Sequence, residues 1–501
     1  MIRFSDKLQL IGSAYFQQAI RILTLFVMAR LIGPNDTGIY MLVIYVGGLV
    51  MALSDFAIPQ SVVQILDFSE DVVVDTALVL SGVLLTIYGV AAIGAGIYLT
   101  WKEPGHDPHY WRIGVLVAIT NFLGGLYTVQ LARINRRLHF KIESRQNIIF
   151  ALSVAITGIV FALLHFGSYA LALQLLAGQL AANIAINLHV PLSWPKQASW
   201  TVAKRFLKLG TPISVANYVW GVEASIIGMI IQPMPLPDGG AWGVGLWSKT
   251  IQVQQLFGQN LLTSFQRVAY PLVCLSVSDL ARMRILFARV TLTLMMVSLL
   301  FTGVVVVNSE AIVRVCLGRQ WMAAAPLLRA AAWAIPAGAL NMVAAILCMA
   351  MGISKSFARA AILNLFLFIP AALLVRHFGG GILDLVICWS ASRYFMALTM
   401  LQPATRQLGA GLRSIWRPMS GLIGSAIVAS AAMLAIRALL QHYPFVIQLV
   451  VSASVGSIVY TAAVWLLEKD TIQFAIKMAR GGGQANTAST VTQPLLVESG
   501  S

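Results

Sequence analysis

LIGSAYFQQAIRILTLFVMARLIGPNDTGIYMLVIYVGGLVMALSDFAIPQSVVQI occupies residues 10–65. It consists of two apolar runs, 10–32 and 39–65, on either side of a Gly33-Pro34 turn, and each exceeds the ~20 residues needed to cross a hydrocarbon core of about 30 Å. Arg21, Arg30 and Asp55 are the only ionisable residues inside the two runs. A soluble helical hairpin needs a charged face along its whole length, so this stretch predicts two transmembrane helices joined by a short loop. The first run lacks a small-residue cleavage site, and it is expected to be a retained span rather than a removed signal peptide.

The rest of the 501 residues repeats the pattern. Hydrophobic residues make up 58% and charged residues 10%, mean hydropathy is +0.82, and soluble domains run at roughly 45–50% and 25%. Further apolar windows fall at 76–100, 113–133, 146–166, 169–190, 210–232, 241–262, 290–308, 326–350, 360–376, 381–401, 418–438 and 445–467, giving fourteen in all. At ~20–22 residues per crossing they use roughly 300 residues, which excludes a sizeable soluble domain. The fold class is therefore all-α, a polytopic membrane protein of about 14 transmembrane helices. Pro59, Pro212, Pro336 and Pro370 lie inside windows and predict kinks, which membrane helices tolerate where neighbours re-satisfy the backbone.

A formal charge of +16 from 34 Lys and Arg against 18 Asp and Glu would suggest nucleic acid in a soluble chain; in a membrane protein it reflects basic loops retained in the cytoplasm. With the N-terminus inside, 23 of the 34 bases fall in inside loops or termini, six in outside loops and five in spans. That bias predicts cytoplasmic N- and C-termini. The inside loop 67–75 disagrees, carrying Asp67, Glu70, Asp71 and Asp75 with no base. Trp101, Tyr110, Trp111, Trp194 and Trp200 sit at loop edges as interfacial anchors would. Cys274, Cys316, Cys348 and Cys388 have no metal-ligand spacing and read as packing residues. The Gly/Ser/Thr/Gln-rich stretch 481–501 reads as a disordered tail.

Ionisable groups in spans are costly, so each is a candidate functional residue. At about 1.5 Å per residue, Arg21 and Asp55 lie ~17 and ~15 Å from the cytoplasmic end of their spans. Glu223 on span seven and Lys249 on span eight both lie ~20 Å from theirs. Gln17, Arg21 and Thr24 share one helical face, and Gly245, Lys249, Gln252 and Gln259 share another. Two readings stand: interhelical ion pairs that hold the bundle together, or a water-filled cavity containing both pairs. Arg30 and Arg329 near the outer face and Arg393 in the cytoplasmic half are further cavity cations, able also to snorkel. His106 and His109 have an HxxH spacing without a third ligand, and Asn35-Asp36-Thr37 matches a glycosylation sequon in a very short loop. No P-loop, GxSxG or HExxH pattern is present. No metal or cofactor is expected.

Four stretches carry a family resemblance: residues 29–64 (ARLIGPNDTGIYMLVIYVGGLVMALSDFAIPQSVVQ), 136–145 (RRLHFKIESR), 317–336 (LGRQWMAAAPLLRAAAWAIP) and 350–364 (AMGISKSFARAAILN). Together they resemble the polysaccharide transporter family, the Wzx-type O-antigen and exopolysaccharide flippases of the multidrug/oligosaccharidyl-lipid/polysaccharide exporter (MOP) superfamily. Ala57 stands where the family usually has Gly, and Glu223 where relatives often carry Asp, ahead of an unusual Pro-rich loop. The resemblance implies two pseudosymmetric six-helix lobes plus two C-terminal helices. The expected division is an N-lobe at 1–190, an inter-lobe loop at 191–209, a C-lobe at 210–401, helices 13 and 14 at 402–467 and a tail at 468–501. The same repeat makes span seven the counterpart of span one.

The resemblance also implies a function: a flippase moving a polyprenyl-pyrophosphate-linked oligosaccharide across a bacterial inner membrane by alternating access, for surface polysaccharide, exopolysaccharide or lipopolysaccharide synthesis. Arg21 and Lys249 would meet the pyrophosphate, and Gln17, Gln252 and Gln259 the sugar hydroxyls. Asp55 and Glu223 would serve as ion-coupling or charge-pair residues. Expected partners are the lipid-linked oligosaccharide, membrane lipids and other assembly proteins such as a polymerase or chain-length regulator, with no nucleic acid. A multidrug or cation antiporter of the same fold is the alternative, and Arg21 speaks against its acidic cavity. A membrane polymerase or glycosyltransferase would need a substantial outside loop, and the outside loops here are short.

Overall fold

The computed structural model describes residues 4–473 apart from 55–57, 66, 103–108, 138, 193, 236–238, 259–264, 267–268, 271–272, 275, 278, 354, 410–415 and 469–471. Among the described residues there are sixteen α-helices and no strand. In chain order they are α1 (Phe4–Leu31), α2 (Pro34–Ser54), α3 (Ile58–Gln64), α4 (Glu70–Lys102), α5 (His109–Arg136), α6 (Phe140–Leu163), α7 (Ser168–Asn187) and α8 (Trp200–Ile231). Then follow α9 (Gly240–Phe257), α10 (Leu280–Ile312), α11 (Ala324–Ala331), α12 (Ala334–Ala350), α13 (Lys355–His377), α14 (Ile382–Leu408), α15 (Trp416–Leu439) and α16 (Phe445–Leu467).

Where its residues are described, each apolar window lies on these helices; 39–65 runs from α2 to α3 across 55–57, which lie outside the described residues, and 326–350 is interrupted between α11 and α12. Pro336 accounts for that interruption, because it has no N–H to offer the turn before it; there Trp333 and Ile335 donate three residues back, to Ala330 and Ala332. Pro59 lies in the first turn of α3, while Pro212 and Pro370 stay inside continuous helices. Among the described residues ten helical stretches are long and apolar enough to cross a membrane, and Tyr15–Leu31 with Pro34–Leu49 pass together as a pair bent by 119°. The Gly33-Pro34 turn places that bend. The chain is an all-helical, multi-pass membrane protein.

The helices form two compact units, Met1–Ser248 with Cys316–Trp321, and Lys249–Val315 with Met322–Ser501. In the first, α4 packs on α5, α6 on α7, α1 on α6, and α2 on α8 and α4. Glycines permit the closest approaches: a Cβ on Gly38 would fall on the carbonyl of Ala241, and one on Gly245 on that of Pro34. The first turns of α9 therefore lie backbone to backbone against α2, as small residues allow in membrane helix pairs.

The acidic loop 67–75 now has its bases. Arg133 meets Glu70 at 2.5 Å and Asp71 at 3.1 Å, Arg137 meets Glu70 at 2.7 Å, and Arg205 meets Asp67 at 2.5 Å. The hydrogen bond to Glu70 raises the Arg137 guanidinium above its ordinary value. Buried Asp75 accepts the backbone N–H groups of Lys196 (2.8 Å) and Gln197 (3.0 Å), and Ser199 N–H donates to Thr76 Oγ1. Loops 67–75, 133–137 and 196–205 thus share one end of this unit, as alternating spans require.

Far along the chain, residues 316–321 return to the end of α1. Trp321, fully buried, donates its indole N–H to the Ala29 carbonyl at 2.6 Å, and the Gln320 amide donates to Ala29 (2.7 Å) and Ile32 (3.3 Å). Those carbonyls have no partner in the last turn of α1, which gives the Arg-Gln-Trp element its structural task. Gly318, at φ +102°, makes the turn that brings it there.

In the second unit α10 is central and packs on α12, α15 and α16, while α14 packs on α12 and α13. Asn308 departs from helical geometry (φ −103°, ψ 16°) and kinks α10. It is fully buried, accepts from Ser452 Oγ at 2.6 Å and donates to the Val304 carbonyl. Among the anchor candidates, Trp101, Trp194 and Trp200 are exposed, whereas Tyr110 is buried against α4, a packing residue rather than an interfacial one. Cys348 is buried with its thiol on the Met400 carbonyl; Cys274 is exposed, which corrects its reading as a packing residue. The stretch 481–501 lies outside the described residues.

Candidate functional site

The sequence candidates divide between the two units. In the first, Arg21 stands nearly three turns before the end of α1, exposed, with Gln17 and Thr24 half-buried on its helix. Among the described residues Arg21 pairs with no carboxylate; Asp55 lies outside them. Glu223 is buried on α8, where Gly48 on α2 faces Ser225 and Gly228 faces Tyr45. Arg30 is exposed, and the Gly318 turn lies against its side chain.

In the second unit Lys249 is buried, and its ammonium donates to Gln252 Oε1 at 3.1 Å, one turn on along α9. No described carboxylate in this unit pairs with it. Gly245, one turn before Lys249, is the residue clamped on Pro34. Gln259 lies outside the described residues. Arg393 sits half-buried on α14 with its guanidinium 4.9 Å from the Trp389 ring. Arg329 contacts Glu310 at 3.3 Å and Ser309 at 3.3 Å, and Arg437 pairs with the other oxygen of Glu310 and donates to the Val307 carbonyl. Arg329 is thus part of an ion triad that the window pattern did not indicate, since Glu310 and Arg437 lie at span ends.

The His109 ring lies 5.2 Å from that of Tyr169, tilted by 57°, and His106 lies outside the described residues. Among the described residues no three His, Cys, Asp or Glu side chains come together as a metal site. One cleft was not anticipated: a space of about 440 Å³ between α1 and α6, with Lys141 and Arg145 on its wall. Its signal in the sequence was the pair of bases four residues apart in RRLHFKIESR.

The arrangement is one of long apolar helices that carry a few cations along their length, and comparison with solved structures bears on the fold. The chain superposes on the lipid II flippase MurJ in an inward closed conformation, with a TM-score of 0.70 and 13% identity, over 92% of this chain and 99% of that one. An inward-facing multidrug resistance MATE family transporter of the MOP superfamily gives 0.64 and 12%, over 78% and 94%. A MOP superfamily transporter from Pyrococcus furiosus gives 0.56 and 11%, over 81% and 95%. No curated protein matches the chain. Residues 27–326 match the polysaccharide biosynthesis protein family, and the chain belongs to that family.

Proposed function

We propose that the protein is a flippase carrying a polyprenyl-pyrophosphate-linked oligosaccharide from the cytoplasmic to the periplasmic leaflet of a bacterial inner membrane. Its termini face the cytoplasm, and the lobes 1–190 and 210–401 alternate access while helices 402–467 accompany them. One observation carries the reading: Lys249 is buried in a span with a neutral amide as its described acceptor. A cation left so in a membrane is expensive unless an anion completes the site. A pyrophosphate is such an anion, and the family match to polysaccharide biosynthesis supplies the sugar. Gln252 and Gln17 are the amides proposed for the hydroxyls and Arg21 a second cation, with Arg30, Arg329 and Arg393 as further candidates. The polymerase and chain-length regulator of the same assembly are the partners proposed.

A cation antiporter of the same fold is the second reading, favoured by buried Glu223. Proteoliposomes with a labelled lipid-linked oligosaccharide separate the readings. A flippase changes the label's leaflet and leaves its mass unchanged. Leaflet exchange no faster than in empty liposomes overturns the proposal; a larger product mass points to a polymerase, and cation-driven dye efflux without lipid movement to the antiporter.

A further inference from the structure

The cleft between α1 and α6 has a composition that the flippase reading does not use. Its wall is made by Ser13 and Phe16 from α1 and by Lys141, Ser144, Arg145 and Ile148 from α6. Lys141 and Arg145 are four residues apart, so they stand one above the other on one face of α6, and both are exposed. Among the described residues Arg145 pairs with no carboxylate. Lys141 is the second residue of α6, whose cap makes no side-chain hydrogen bond, and the positive end of the helix dipole adds to the two charges. Ser13 and Ser144 are buried and bring hydroxyls to the wall.

Ile148 lies seven residues further along α6 than Lys141, ~10 Å at about 1.5 Å per residue. The cleft is thus cationic at the helix end and apolar deeper in, where Phe16 and Ile148 line it. Its volume of about 440 Å³ falls in the range of roughly 300–1,000 Å³ typical of small-ligand sites. A free phosphate would use the cations and leave the apolar wall wet. A lipid phosphate uses both, its charge on Lys141 and Arg145 and the start of its chain on Phe16 and Ile148. Among the described residues nothing comparable to the Glu70–Arg133 pairing neutralises Arg145.

We propose that the α1–α6 cleft binds the phosphate or pyrophosphate headgroup of a membrane lipid. The site stands on its own geometry; only its use as a loading station for cargo rests on the flippase reading.

The test is binding of a short prenyl pyrophosphate to the full chain in phosphatidylcholine nanodiscs, made in the wild type and in an Arg21→Ala, Lys249→Ala background so that the span cations do not contribute. Lys141→Gln with Arg145→Gln is expected to weaken binding at least about tenfold, as loss of charge-assisted contacts does, while Lys141→Arg with Arg145→Lys retains it. Inorganic pyrophosphate and the uncharged prenol are each expected to bind about tenfold more weakly than the conjugate. Unchanged affinity in the double Gln variant overturns the proposal, and so does inorganic pyrophosphate binding as tightly as the prenyl form. If the double Gln variant does not fold, Ile148→Glu places a carboxylate on the apolar wall, and undiminished binding there overturns it equally. Cleft binding without oligosaccharide movement in proteoliposomes defeats the flippase reading alone; movement without cleft binding defeats this proposal alone.

Discussion

Trp321 shows what one side chain does for a helix it does not belong to. Its indole N–H closes a carbonyl at the end of α1 from 292 positions away. Trp321→Phe keeps most of the volume and removes the donor, and because Gln320 still donates to Ala29, the expected cost is about 1 kcal/mol. Trp321→Ala opens a cavity as well and should cost about 3–5 kcal/mol, a ranking readable by thermal unfolding in detergent. Lys249 and Arg21 call for a different assay. Each changed to Ala should abolish export while protein still accumulates in the membrane, with Arg21→Lys partly active where charge alone counts and inactive where a bidentate contact is needed. The pairs Arg21→Gln with Asp55→Asn and Lys249→Gln with Glu223→Gln should give stable protein without export, measured by membrane yield and by transport; export restored in both would make the pairs structural glue. Arg21 and Lys249 were legible because a charge in an apolar run stands out in one dimension. The Glu310–Arg437 pair was not, since its members lie 127 positions apart at span ends, where charge is ordinary.

At the scale of elements, the clamp of α9 on α2 has a sharp steric signature. Gly38→Val and Gly245→Leu would drive carbons into the carbonyls of Ala241 and Pro34, and both variants should lose folded protein. Gly82 and Gly94 have open space where a Cβ would go, so Ala at either should leave yield within error; size-exclusion recovery compares all four. Apolar run length and Gly-Pro punctuation placed every window on a helix, including the bend at Gly33-Pro34. The same cues did not separate α11 from α12, because hydropathy averages over the two residues at which the helix is interrupted and resumes. The loop 67–75 looked anomalous for a related reason. Its carboxylates are answered by arginines about 62 to 138 positions away, a distance that a count of charges per loop does not see.

For the whole molecule, the shared end of loops 67–75, 133–137 and 196–205 lets sidedness be tested at exposed positions. Ser144 suits this poorly, being buried. His139 is exposed in the same loop, and Trp101 is 76% exposed at the other end of α4. In intact cells a membrane-impermeant thiol reagent should label Trp101→Cys and spare His139→Cys, read in a background lacking the native cysteines. The opposite pattern inverts the topology and with it the proposed direction of transport.

The tie from Trp321 to α1 also sets a clock on biosynthesis. At roughly 5–20 residues per second, the ribosome needs about 15–60 s to travel the 292 positions between the Ala29 carbonyl and its indole donor. Throughout that interval the nascent chain carries a first helix whose terminal carbonyls must be satisfied by water or headgroups. A chain stalled before residue 320 would present that unfinished helix end to the membrane proteases, which makes the Arg-Gln-Trp turn a checkpoint that only chains elongated past it can satisfy.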